Sequence, residues 1–281
     1  IYNYTLCTNN YGFKDRCESK KKILKKIDYA FIGDSFTEGV GLNYEDTFVG
    51  LFSNDNEDKV IINLGVESYS PKIYYKKIKH LVNKGFEFER IIIFLDLADI
   101  LDENMYFFDD KNNVKKKSTI EFVNTVYQDY KILYKFKKII RDELPLNYFI
   151  YRNFKKILTN SKEKKINLLI ENPQDNLLIN SRWTYKNKFS KRDAPWINNG
   201  IEEARTYLDK IFELSKKGDF KISIAIYPWP AQIMFDEDTG REKFGRLWKE
   251  YCDGKCEYFL NYLEKFHILK NEIGNTEVKN K

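Results

Sequence analysis

The sequence predicts a three-layer α/β domain built on a parallel β-sheet. Short apolar runs rich in Ile and Val recur along the chain, as expected of strands covered on both faces. Amphipathic segments with helical spacing separate these runs, and strands that alternate with helices form a parallel sheet with right-handed crossovers. A chain of 281 residues can bury one large core or two modest ones. We favour a single domain over residues 1–281 with an insertion.

The predicted elements follow one another in a regular order. A basic stretch, Lys20 to Lys26, is interpreted as a helix that leads into the first strand. Apolar runs predict four strands, at Tyr29–Ile32, Val60–Leu64, Arg90–Leu95 and Lys221–Tyr227. A further apolar run at 256–263 is interpreted as the fifth strand and the residues that leave it. Apolar stripes predict helices at Pro71–Asn83 and Ile201–Lys217.

The stretch from about Asn104 to Asn199 interrupts this alternation with a long aromatic and basic segment followed by a polar one. We interpret residues 104–199 as an insertion of helices and loops between the third and fourth strands. Its aromatic side chains either pack on the parent domain or form a cap over a substrate.

Composition and charge exclude several classes of protein. The chain is 42% hydrophobic and 32% charged, which is typical of a globular protein, and it contains no apolar run of the length that a membrane span needs. The net charge of +6 comes from 48 basic and 42 acidic residues in scattered short runs, as on a solvated surface. No basic stripe with stacking aromatics forms a nucleic-acid module, so no nucleic-acid partner is predicted.

The four cysteines form two local pairs, Cys7 with Cys17 and Cys252 with Cys256. This spacing permits two disulfides and therefore an exported, periplasmic or cell-envelope protein, although four buried thiols would give the same pattern. We favour export. The first residue is Ile rather than Met, so any signal peptide or membrane anchor is expected upstream of the sequence.

The run GDSFTEG at 33–39 directly follows the first predicted strand. In an open parallel sheet the ligand site lies beyond the carboxyl ends of the strands. Gly33 lets the backbone leave the strand sharply, and Ser35 then lies at the start of a helix with amide donors nearby. The alternative is that Ser35 only caps that helix. After the second strand the chain reads Asn63-Leu64-Gly65.

These two blocks resemble those of the SGNH (GDSL-type) hydrolase superfamily, over the chain from Tyr29 to about Tyr262. The resemblance implies a flavodoxin-like three-layer fold in which Ser35 is the nucleophile. It also implies that the backbone N–H groups of Ser35 and Gly65 form the oxyanion hole and that Asp34 supports the site. No cofactor and no metal are implied. The expected activity is ester hydrolysis or O-acyl (acetyl) transfer on an acylated carbohydrate or other small-molecule ester, as in the envelope esterases and carbohydrate O-acetyltransferases that this chain resembles.

The third block departs from the superfamily pattern, which usually has an Asn as a further oxyanion donor. Ala98 stands at that position, and its methyl group donates no hydrogen bond. Asp99 matches the Asp of the block and is expected to be a supporting hydrogen-bond acceptor. The surrounding acidic run resembles a metal site only loosely.

The general base is the second departure, because the sequence contains no Asp-x-x-His. Glu264 and His267 have the required spacing, whereas His80 lies on a predicted helix and is expected to be a surface residue. The polar run at 271–281 is typical of a loop. We therefore expect the catalytic histidine beyond residue 281, so that residues 1–281 are catalytically incomplete, and keep His267 as the alternative base.

Two other functions fit the same sequence. One is a non-catalytic glycan-binding protein that uses Trp183, Trp196 and Trp229 as stacking surfaces. The other is a cytoplasmic lipase-like esterase, which a signal peptide upstream would exclude.

Overall fold

The computed structural model describes residues 4–17, 24–117, 183–184, 195–229, 232–233 and 241–273. Its strands are β1 Lys26–Ile32, β2 Ile61–Asn63, β3 Glu87–Leu95, β4 Tyr106–Phe108, β5 Val114–Lys116, β6 Lys221–Ile226 and β7 Phe259–Asn261. Its α-helices are α1 Ser35–Glu38, α2 Phe48–Asp55, α3 Pro71–Asn83, α4 Leu97–Asp102, α5 Pro195–Gly218, α6 Arg241–Cys252 and α7 Tyr262–Ile273. A short 3-10 helix covers Tyr44–Asp46.

Five strands form one parallel sheet in the order β2-β1-β3-β6-β7. The remaining two, β4 and β5, form a separate antiparallel hairpin. Without that hairpin, the strand order is the one found in flavodoxin-like sheets. The predicted α/β architecture with a parallel sheet is therefore confirmed.

Side chains of the long strand β3 alternate between two cores. Ile91, Ile93 and Leu95 belong to the larger core, which they share with α3, α5 and α6. Ile92 and Phe94 point to the opposite face, where they pack with residues of α2 and with Tyr262 at the start of α7. This two-sided burial explains the nearly continuous apolar sequence of β3, and it makes a helix–sheet–helix sandwich.

The ends of some elements differ from the prediction. Lys26 is the first residue of β1, so the predicted helix Lys20–Lys26 is wrong at its end; residues 20–23 lie outside the described residues. The strand tolerates Lys26 because that residue is exposed at the edge of the core. The predicted insertion begins with the β4–β5 hairpin, and its last five residues are the first residues of α5. Residues 118–182 and 185–194 lie outside the described residues.

Both local cysteine pairs are disulfide-bonded. The Cα atoms of Cys7 and Cys17 are 4.9 Å apart, and those of Cys252 and Cys256 are 5.0 Å apart. The first bond closes the N-terminal segment into a loop, and the second joins the end of α6 to the turn before β7. Within the described part of the chain, no helix is long and apolar enough to cross a membrane.

Candidate active site

Ser35 lies at the carboxyl end of β1, as the first residue of α1. Asp34, not Ser35, caps this helix, because its side chain accepts a hydrogen bond from the amide of Phe36 at 3.0 Å. The Ser35 side chain is partly exposed rather than turned into the core. Its hydroxyl lies 3.5 Å from Asp34 Oδ2, which is long for an O–H···O hydrogen bond. The hydroxyl is therefore only weakly held.

Asp34 is buried and connects the start of α1 to the end of β6. The hydroxyl of Tyr227 donates a hydrogen bond to Asp34 Oδ1. Burial raises the pKa of Asp34, although the hydrogen bonds from Tyr227 and from the Phe36 amide oppose this rise. The sequence prediction placed Tyr227 only at the end of a strand. A polar aromatic residue where an apolar strand ends was the available signal for this contact.

Gly65 packs directly against α1. A Cβ atom on Gly65 would lie 2.3 Å from the amide nitrogen of Glu38, so no other residue fits without movement. The amide of Gly65 donates a hydrogen bond to Asn63 Oδ1 at 2.9 Å, and Asn63 Nδ2 donates to the carbonyl of Thr37 at 2.8 Å. Asn63 thereby ties the loop after β2 to α1. An oxyanion bound at the Gly65 amide must share or displace this acceptor.

Asp96 and Asp99 are fully buried where β3 passes into α4. They form a reciprocal cap, in which Asp96 Oδ1 accepts from the amides of Ala98 and Asp99, while the amide of Asp96 donates to Asp99 Oδ2 at 2.8 Å. The indole of Trp229 donates to Asp96 Oδ2 at 2.6 Å, and the hydroxyl of Tyr74 donates to Asp99 Oδ1 at 2.7 Å. Trp229, one of the three tryptophans considered as stacking surfaces, is thus hydrogen-bonded to buried Asp96.

The buried carboxyl groups at this edge of the sheet repel one another when ionised. Burial raises the pKa of Asp96 and Asp99 well above the ordinary value, and the charge of Asp34 adds to the rise. The pKa of Asp102 rises to about 8 for the same two reasons, against the attraction of Lys116. Among the residues that the structure describes, no group of His, Cys, Asp and Glu side chains is arranged to hold a metal ion.

The two histidines lie on different helices. His80 is exposed on α3, whereas His267 is buried on α7. Within the described residues, the hydroxyl of Ser35 donates its hydrogen bond to Asp34. Glu264 is exposed and accepts a hydrogen bond from Asn261 Nδ2 at 3.0 Å, so its carboxylate is engaged at the start of α7.

Comparisons with known proteins add little to this geometry. No family model matches the chain, and no curated protein matches it. A mutant of the esterase AlinE4 is among the similar solved structures: it shares 13% sequence identity with a TM-score of 0.41, over 88% of this chain and 82% of that chain. The function must therefore be argued from the site itself.

Proposed function

We propose that the protein is a serine-dependent ester hydrolase or O-acyl transferase of the SGNH type, with Ser35 as its nucleophile. One observation carries the proposal. The strand order reverses between β1 and β3, and the crevice outside the carboxyl ends of such strands is where α/β sheets bind ligands. Half-buried Ser35 directly follows Asp34 after β1, and buried Asp96 follows the adjacent strand β3.

The proposed reaction is acyl transfer in two steps. The oxygen of Ser35 attacks the ester carbonyl carbon, the bond to the leaving alcohol breaks, and water or a sugar hydroxyl then releases the acyl group from the serine. As the first residue of α1, Ser35 has a backbone N–H without an intrahelical acceptor. This N–H and that of Gly65 are the proposed oxyanion donors, and each such donor contributes about 3 to 4 kcal/mol to lowering the barrier.

The reaction also needs a base to accept the proton of Ser35, a step that contributes about a hundred- to ten-thousand-fold to the rate. His267 is the base that we propose within residues 1–281, since His80 is exposed on α3. His267 is buried on α7, the helix that directly follows β7 at the carboxyl edge of the parallel sheet. Asp34 and Asp99 act by supporting the start of α1 and of α4.

An acylated carbohydrate outside the cytoplasm is the proposed substrate. Two features support this part of the proposal: the disulfides of both cysteine pairs, which persist in oxidising compartments, and the resemblance of the Tyr227 to Ile233 segment to that of envelope esterases.

Labelling of Ser35 tests the proposal directly. The full-length protein is treated with a fluorophosphonate, the modified peptide is identified by mass spectrometry, and hydrolysis of an activated acetyl ester is followed in parallel. We expect label on Ser35, and loss of both label and hydrolysis in Ser35→Ala but not in Ser53→Ala on the neighbouring helix. Folded protein that neither takes up label nor hydrolyses the ester would show a non-catalytic protein.

The base is identified with two further variants. If His267 is the base, hydrolysis falls to background in His267→Ala and persists in His80→Ala. Equal activity in the two variants would place the proton acceptor elsewhere.

A further inference from the structure

Lys77 on α3 holds the peptide unit that carries the Gly65 amide. Its Nζ donates a hydrogen bond to the carbonyl oxygen of Leu64 at 2.8 Å. That carbonyl and the Gly65 N–H belong to the same planar peptide group. The N–H end of the group donates to Asn63 at 2.9 Å, so side chains hold the unit at both ends.

A charged donor on the carbonyl changes the opposite end of the peptide group. Hydrogen bonds from an ammonium group are stronger than those between neutral groups, and linked hydrogen bonds polarise one another. An ammonium on the Leu64 oxygen therefore draws electron density away from the Gly65 nitrogen and makes its N–H a better donor. Loss of the proton from Lys77 would remove this effect.

The surroundings of Lys77 place its ionisation near neutral pH. The ammonium lies 5.5 Å from the ring centre of Phe13 and 5.6 Å from that of Tyr69. Burial lowers the pKa of Lys77 to about 8, while the charge of Glu38 on α1 opposes this. Lys14 from the N-terminal loop also interacts with the charge of Glu38. Lys77 is thus a cation at pH 7 and loses that charge in mildly alkaline solution.

We propose that Lys77 is a positioning residue, whose ammonium group orients and polarises the Leu64–Gly65 peptide so that the Gly65 N–H binds an anionic oxygen. The inference rests on the proposed function only for the identity of that oxygen, the oxyanion of the ester reaction. Because it concerns the peptide group itself, it can be tested without measuring activity.

The first test is nuclear magnetic resonance of the isotope-labelled full-length protein between pH 6.5 and 9.5. Carbon-detected spectra follow the Leu64 carbonyl carbon and the Gly65 amide nitrogen, which alkaline exchange of amide hydrogens does not attenuate. We expect both signals to titrate together with a midpoint near pH 8, and to stay constant in Lys77→Met. The midpoint of the titration should fall in Glu38→Gln, because the charge of Glu38 raises the pKa of Lys77. In the control Lys79→Met, which changes an exposed lysine on the same helix, both signals should titrate as in the wild type.

Signals of Leu64 and Gly65 that do not move in the wild type, or that move equally in Lys77→Met, would overturn the inference. This outcome is decided by the spectra alone, whether or not the protein hydrolyses esters.

The second test is the kinetics of acetyl ester hydrolysis. Because loss of a whole oxyanion donor costs about a hundred-fold or more in kcat, weakening one donor in Lys77→Met should cost about ten-fold. KM should stay within about two-fold, and Lys77→Arg should recover most of the lost kcat. An inactive wild-type protein would refute the proposed function. The effect of Lys77 on the Leu64–Gly65 peptide would then be decided by the spectra alone. An active Lys77→Met with unchanged kcat would refute the catalytic role of its charge.

Discussion

Replacing Gly65 with alanine should destabilise the protein by pushing α1 away from the sheet. The new Cβ would lie 2.3 Å from the amide nitrogen of Glu38 and 2.6 Å from the carbonyl carbon of Thr37. Real Cβ contacts are essentially never shorter than 3.0 Å. Both neighbours are backbone atoms, so no side chain can rotate away, and the two segments must separate by about 0.7 Å.

The expected cost follows from this overlap. Extra atoms in a well-packed region typically cost about 1 to 3 kcal/mol. The backbone of Gly65 is not among those with positive φ, so alanine recovers about 0.4 to 1 kcal/mol by restricting the unfolded chain. We therefore expect the free energy of unfolding to fall by about 1 to 2 kcal/mol, with slower labelling of Ser35 because α1 moves.

Urea denaturation measures this change, through the midpoint and the slope of the transition. Gly245→Ala in α6 is the matched control: its nearest contact, at 3.1 Å, is the flexible end of Asn261, and alanine is the better helix former by about 1 kcal/mol. The reasoning is refuted if Gly65→Ala unfolds within about 0.5 kcal/mol of the wild type or is more stable than Gly245→Ala.

Two further predictions concern the buried acids. Burial raises the folded-state pKa of Asp102 to about 8 and that of Glu103 to about 7, so between about pH 4 and pH 8 the folded chain binds more protons than the unfolded chain. These two groups therefore make the free energy of unfolding fall as pH rises through that range. Urea unfolding should show that this free energy is lower at pH 8 than at pH 5 by about 1 kcal/mol or more, and Asp102→Asn should reduce the difference. Equal free energies of unfolding at the two pH values would contradict the prediction. Trp229→Phe should lower the free energy of unfolding by about 1 to 3 kcal/mol, because it leaves buried Asp96 without its indole donor. An unchanged urea midpoint would show that this hydrogen bond does not stabilise the fold.

Most of the sheet could be predicted from the sequence because its strands are covered on both faces. The bounds predicted for α3 are those of the structure, since Pro71 begins the helix and an apolar stripe runs along it. The β4–β5 hairpin was missed because its strands have three residues each, all of them exposed or half-buried, so no periodic apolar pattern marks them.

The packing of Gly65 against α1 was also predictable, because Gly65 and α1 each follow a strand of one parallel sheet. Contacts made across the site were not. The hydrogen bond from Tyr227 to Asp34 joins residues 193 positions apart, and it depends on the strand order and on which face each side chain takes. The same holds for Lys77, whose charge on a helical segment gave no sign that it would reach a backbone carbonyl.

The two outer strands of the sheet, β2 and β7, have three residues each, whereas the interior strand β3 has nine. An outer strand presents unpaired backbone groups on which another polypeptide can add a strand, and the hazard grows with its length. The folded sheet is thus a poor template for aggregation at either side. The apolar run of β3 is the segment that would pair most readily with other copies, and it becomes available only when the sheet opens. Among the described residues, aggregation through strand pairing should therefore follow opening of the sheet rather than contact between its outer strands.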